Sequence, residues 1–272
     1  MKNLFAILGL FALTLLYFSD VLTGEILLVE RDLTTFFYPF RFIWVEALRQ
    51  GNFPFWNPYI KCGVPLFATI QAGVLYPFSL TYLFLPLDFA FNWTVIFHFF
   101  LAAAFTYLLM RELGATLQGS LAAAFAFLFS GYLMSVHNVL NTLLSVSWYP
   151  AVMLCGFRMV QSGRIKWALA GAITLCCMLL GGGMEIVLYT CASLLLVSVY
   201  PAILPLETTT NQSSLKRRLG LLGLALIVFL GLSMFQWVPF LELYPQSHRF
   251  KSVLRIKATS NNCLLARFLR CI

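Results

Sequence analysis

Residues 90–110 read AFNWTVIFHFFLAAAFTYLLM, a run without a single Asp, Glu, Lys or Arg. As an α-helix it is about 30 Å long, the thickness of a bilayer's hydrocarbon core. Similar runs recur at 3–19, 119–136, 142–160, 167–183, 186–206 and 219–241, which predicts about seven transmembrane helices. The segment 66–86 is also apolar, but Pro65, Pro77 and Pro86 interrupt it, so it reads as interfacial or re-entrant. The whole composition agrees. Of 272 residues 61% are hydrophobic and 10% charged, with mean hydropathy +0.86, against about 45–50% apolar and about 25% charged in a soluble domain. A soluble enzyme, a disordered chain and a secreted disulfide scaffold are excluded. The fold class is an all-α polytopic membrane protein.

The net charge of +8 is not a nucleic-acid signal, because the charges sit in short clusters between the apolar runs. With the N-terminus in the cytoplasm, the inner pieces carry Lys2, Arg111, Arg158, Arg164, Lys166, Lys216, Arg217 and Arg218, and the short outer turns near His137 and Glu185 carry no Lys or Arg. The first run ends in Tyr17-Phe18-Ser19-Asp20, without a small-x-small cleavage pattern, and so reads as an uncleaved anchor. Two outer pieces remain: a first loop of roughly 20–89 and the tail after Glu242. The seven cysteines show no CxxC or CxxH spacing, and three scattered histidines offer no ligand set, so neither a metal nor another cofactor is expected.

Six of the ten acidic residues, Asp20, Glu25, Glu30, Asp32, Glu46 and Asp88, lie in or beside the first outer loop. Transporters keep their ionisable groups within the spans, so this distribution favours chemistry at the outer water boundary. Within 34–50, Phe36, Phe37, Phe40, Ile43, Trp44, Ala47 and Leu48 fall on one helical face, with Arg41, Glu46, Arg49 and Gln50 off it and Gly51 as a stop. Pro39 is tolerated in a first turn. The prediction is an interfacial helix lying on the bilayer. Asp32 precedes it, either as a helix cap or as a carboxylate held at the membrane surface for general-base work. Spacing does not choose between the two.

The block Gly51-Asn52-Phe53-Pro54-Phe55-Trp56-Asn57-Pro58-Tyr59, followed by Gly63-Val64-Pro65, Gln71 and Tyr76-Pro77, resembles the first outer loop of the YfhO-like bacterial membrane proteins. Asp32 and Tyr38-Pro39 match that pattern in order and approximate spacing. Phe129-Ser130-Gly131-Tyr132, Trp148-Tyr149-Pro150, Gln236-Trp237-Val238-Pro239 and Ser247-His248-Arg249 extend the resemblance from about residue 20 to about 250. It implies a GT-C-like glycosyltransferase that moves a sugar from a polyprenyl-phosphate carrier to a cell-envelope glycan or lipid acceptor, outside a bacterial inner membrane. Asp32 would be its catalytic base and Arg249 the cation at the leaving phosphate. Lys61, Arg41 and Arg31 are weaker candidates for that phosphate, since exposed loop cations generally remain solvated or meet membrane lipid headgroups. Trp56 and Asn57 come with the matching block as substrate-binding residues.

There are departures. Family members often carry Gly-His-Pro with Gln or Glu after span five, where this chain has Gly182-Gly183-Met184-Glu185. Glu185 keeps the acidic position and could orient a sugar hydroxyl, or it marks a helix end. His137 and Asn138, with Asn141, lie in the other outer turn and could line the same cavity, or form local hydrogen bonds. His98, inside a span, reads as a packed neutral ring. Asn211-Gln212-Ser213 fits a glycosylation acceptor but falls on the cytoplasmic side. Gly181-Gly182-Gly183 lacks the Lys-Ser/Thr of a phosphate loop. The tail 251–272 matches nothing in the family, and with Arg249 it puts six basic residues outside. It reads as a truncated or frameshifted end, which would leave an inactive remnant, or as a tail that returns to bind acidic headgroups. Two other classes compete: a lipid-linked substrate transporter or flippase, and a non-catalytic membrane assembly subunit.

Overall fold

The structure is a computed structural model that describes residues 2–28, 30–60, 62–203 and 213–246, with backbone only for 201–203. Lys61, Asn211-Gln212, Ser247-His248-Arg249 and the tail 251–272 lie outside the described residues. The longer helices are α1 (Lys2–Tyr17), α2 (Tyr38–Arg49), α3 (Leu87–Glu112), α4 (Leu117–Leu128), α5 (Gly131–Ser135), α6 (Leu140–Val146), α7 (Tyr149–Ser162), α8 (Ile165–Leu180), α9 (Met184–Ile203) and α10 (Leu215–Leu243). Among the described residues there is no strand, only an isolated antiparallel bridge between Asn57 and Val64.

Among the described residues, four stretches are long and apolar enough to cross a membrane: Leu87–Glu112, Leu117–Ser135, Leu140–Ser162 and Leu215–Gln246. Two of the other expected spans appear as shorter apolar helices, Lys2–Tyr17 and Ile165–Leu180, and the third is apolar over Met184–Tyr200 within the 20-residue α9. Local stops explain the difference. α1 ends where Ser19–Val21 tightens into a 3₁₀ turn. α8 is bounded by Gly163, left-handed at φ 59°, and by Gly182 at φ 100°. Its 16 residues reach about 24 Å, less than a full hydrocarbon core.

Helix starts are marked by hydroxyl caps. Thr116 accepts from Gly119 N at 3.1 Å, and Ser130 accepts from Leu133 N at 3.1 Å, restarting the helix as α5. Leu140–Ser162 forms the middle of the bundle and packs on α3, where Phe91, Val95, Phe99, Ala102 and Tyr107 are buried. α4 and α10 lie outside, exposing Phe125, Ile227, Leu230 and Met234. Such apolar outer faces suit a hydrocarbon solvent.

The helix ends sort the charges. Arg158 Nη2 lies 2.8 Å from Glu112 Oε2, and Arg217 Nε donates to Gly163 O at 2.9 Å. These contacts gather the ends of α3 and α7 and the starts of α8 and α10 at one end of the bundle. The first loop packs on the opposite end. Asn92 clamps it: Oδ1 accepts from Leu28 N at 2.9 Å, and Nδ2 donates to Val21 O at 2.9 Å and Ile26 O at 2.7 Å. His98 is buried, as expected of a packed ring, and it also pins the loop. Its Nδ1 faces Thr94 O at 2.5 Å, and its Nε2 meets the Tyr76 hydroxyl, which accepts from Trp148 Nε1 at 2.9 Å.

One expectation, the exposure of Arg41, is corrected. The apolar face of α2 is turned into the protein at Phe37, Phe40 and Trp44, which are buried. The stretch expected as interfacial or re-entrant, 66–86, folds against the core with Leu66, Tyr76 and Tyr82 fully buried. Arg41, expected off that face and exposed, is 0% exposed. It lies four residues after Phe37 and three before Trp44, and so on the same stripe.

Candidate functional site

α2 has two working faces. Its buried face fixes it to the bundle; its outer stripe, Tyr38, Phe42, Glu46 and Gln50, repeats every four residues and lines an open groove of about 770 Å³. The opposite wall comes from the hairpin that carries Trp56, Pro58 and Tyr59, with Asn52 between. Trp56 and Tyr59 are exposed aromatic surfaces. Gly63, at φ 107°, lets the hairpin close on the indole, since a Cβ there would lie 2.3 Å from Trp56 Cζ2. Asn57 is buried in the hairpin. Its backbone bridges Val64 at 2.8 and 2.9 Å, and its Oδ1 accepts from Tyr59 N at 3.0 Å.

Polar groups along the groove are partly pre-arranged. Gln50 Nε2 donates to Glu46 Oε1 at 2.8 Å. The Tyr38 hydroxyl donates to Asp88 Oδ1 at 2.5 Å, and partial burial, that hydrogen bond and the carboxylate's charge push its pKa up to about 12. Tyr38 therefore stays a neutral donor at the groove's edge. Chemically, the groove offers aromatic faces beside carboxylate and amide groups, a lining that packs on apolar ring faces and hydrogen-bonds hydroxyls.

Asp32 sits at the start of a π-helical segment, Leu33–Phe37, that runs directly into α2. It holds the cap position without a side-chain cap hydrogen bond, and it is exposed. Arg31 before it takes the left-handed conformation at φ 49°, which turns the chain sharply into the helix. Two residues upstream, Glu30 Oε2 lies 3.4 Å from His137 Nε2, while His137 Nδ1 faces Met134 O at 2.5 Å. The structure thus brings the His137 turn beside the segment that carries Asp32. Asn138 is half-buried in that turn.

Glu185 stands apart. It opens α9 and lines a second, mainly apolar groove of about 500 Å³ with Leu188, Trp237 and Phe240. The neighbouring glycine turn is packed by the loop itself: Asn141 Nδ2 donates to Gly182 O at 3.3 Å, and a Cβ at Gly182 would lie 3.2 Å from Gln71 Cα. Among the described residues, no group of three or more His, Cys, Asp or Glu could hold a metal ion.

The groove residues Glu46, Gln50, Asn52 and Tyr59, and the Tyr38–Asp88 pair, are not singled out as site residues by the sequence. The four-residue spacing of Tyr38, Phe42, Glu46 and Gln50 was the available signal. The chain matches no protein-family model, no curated protein and no solved structure.

Proposed function

We propose that the chain is a membrane glycosyltransferase-like protein that works on the outer face of a bacterial inner membrane. In this reading all seven apolar helices insert, the N-terminus is cytoplasmic, and the arginine-bearing helix ends face the cytoplasm. The donor is a polyprenyl-phosphate-linked sugar and the acceptor a cell-envelope glycan or lipid. The observation that carries it is the groove beside α2, where Trp56 and Tyr59 stand opposite Glu46 and Gln50 at the loop-bearing end. Aromatic faces with flanking carboxylates and amides suit an acceptor sugar.

Asp32 is the base: exposed, with no hydrogen-bond or ion-pair partner among the described residues, and on the segment leading into the groove wall. It takes the acceptor hydroxyl proton as that oxygen attacks the anomeric carbon. The bond from that carbon to the phosphate oxygen breaks, and the lipid phosphate leaves with inversion. Arg249 neutralises the departing phosphate in this proposal.

The test is sugar transfer in proteoliposomes from a polyprenyl-phosphate sugar to an oligosaccharide acceptor. Asp32→Asn is expected to insert normally and transfer about a hundredfold more slowly or worse, the scale of a lost general base. Equal rates for the variant and the wild type overturn the assignment of Asp32.

A further inference from the structure

The buried face of α2 holds a charge with no visible counter-charge. Arg41 is 0% exposed, and only Nη1 is engaged, donating to Ala72 O at 2.5 Å and Gln71 O at 3.4 Å. Its Nε and Nη2 have no hydrogen-bond partner. One turn on, the buried indole Nε1 of Trp44 also lacks one, as does the buried hydroxyl of Tyr82. The three side chains are neighbours. The Trp44 and Tyr82 rings meet edge to face at 5.9 Å, and the Tyr82 phenol lies beside both the guanidinium and Thr94, outside strict hydrogen-bond geometry. Arg49, on the same helix, donates to Tyr82 O at 3.4 Å and adds a second cation. The ion pairs among the described residues are His137–Glu30 and Arg158–Glu112, so no carboxylate pairs with Arg41.

Guanidinium and indole N–H groups only donate. A buried donor without an acceptor costs about 1–3 kcal/mol, and more when charged. A water molecule would satisfy the donors but leave the buried charge uncompensated; an anion does both. Gly73 packs closely on the guanidinium, since a Cβ there would lie 2.9 Å from Arg41 Nη2. At 0% exposure the donors admit nothing as large as a lipid headgroup. We propose that a small anion of halide size binds among Arg41, Trp44 and Tyr82 and fixes α2, the wall of the outer groove. The inference does not depend on the proposed sugar transfer.

The test is thermal unfolding of the full chain in detergent, with sodium chloride or bromide replacing sodium gluconate at constant ionic strength. A saturable rise in Tm with either halide is expected, and none with the larger gluconate. Trp44→Phe keeps the ring but removes one donor, and should need about tenfold more halide, as for one lost hydrogen bond to a charge. Arg41→Met should abolish the response. In bromide-grown crystals an anomalous peak is expected between Arg41 and Trp44. Identical unfolding in halide and gluconate, or an unchanged halide response in Trp44→Phe, overturns the site. Should Arg41→Met fail to fold, Trp44→Phe and the bromide peak decide.

Discussion

Tyr38 links the groove to the bundle through one hydroxyl. Its pKa is raised from 10.0 to about 12, so the folded state holds the proton more tightly than the unfolded chain. That contribution is complete below pH 10 and is lost as pH rises through about 12. Tyr38→Phe should therefore flatten the alkaline fall in stability across that window, read from unfolding midpoints against pH, and remove one late-titrating phenolate from the absorbance difference. At Gly63 the φ of 107° and the 2.3 Å approach to Trp56 both exclude a side chain. Gly63→Ala should cost about 1–3 kcal/mol from the backbone alone, measurable by chemical denaturation, and displace the indole. Asp32, Trp56 and Gly63 stand out in the sequence because they sit in a patterned block. The burial of Arg41 was also legible, since Phe37, Arg41 and Trp44 share one stripe. It is missed when a charge is assumed to mark the wet face. The pairing of Tyr38 with Asp88, fifty residues apart, is a tertiary fact that no local spacing carries.

At the scale of elements, apolar runs without charge make the helices visible, and glycine or hydroxyl residues fix their ends. Length was the weaker part of the reading, because hydropathy does not register where Gly182 or a 3₁₀ turn stops a helix. The first loop follows another logic. It is fastened to the bundle by single polar side chains. Asn92 is the clearest fastener, with three hydrogen bonds to the backbone of Val21, Ile26 and Leu28. Asn92→Leu keeps the bulk and leaves those groups unpaired, at a cost of at least about 2 kcal/mol. A lower Tm and faster proteolysis within 21–28 are the expected outcomes; an unchanged digestion pattern would show that packing alone holds the loop.

Across the whole molecule, the described residues divide by chemistry between two ends. One end gathers Arg111, Arg158, Arg164, Arg217 and Arg218; the other carries the first loop with Asp32, Glu46 and the aromatic groove. The proposed activity requires the loop-bearing end to face the outside of the cell. Cys62 reports this directly, being an exposed thiol next to the groove hairpin. Intact cells producing the chain are treated with a membrane-impermeant maleimide, and labelling is compared with that of Cys62→Ser. With Cys263 and Cys271 of the tail replaced by Ser in both proteins, labelling of Cys62 is expected in intact cells and is lost in Cys62→Ser. Labelling of Cys62 only after the membrane is permeabilised would contradict it.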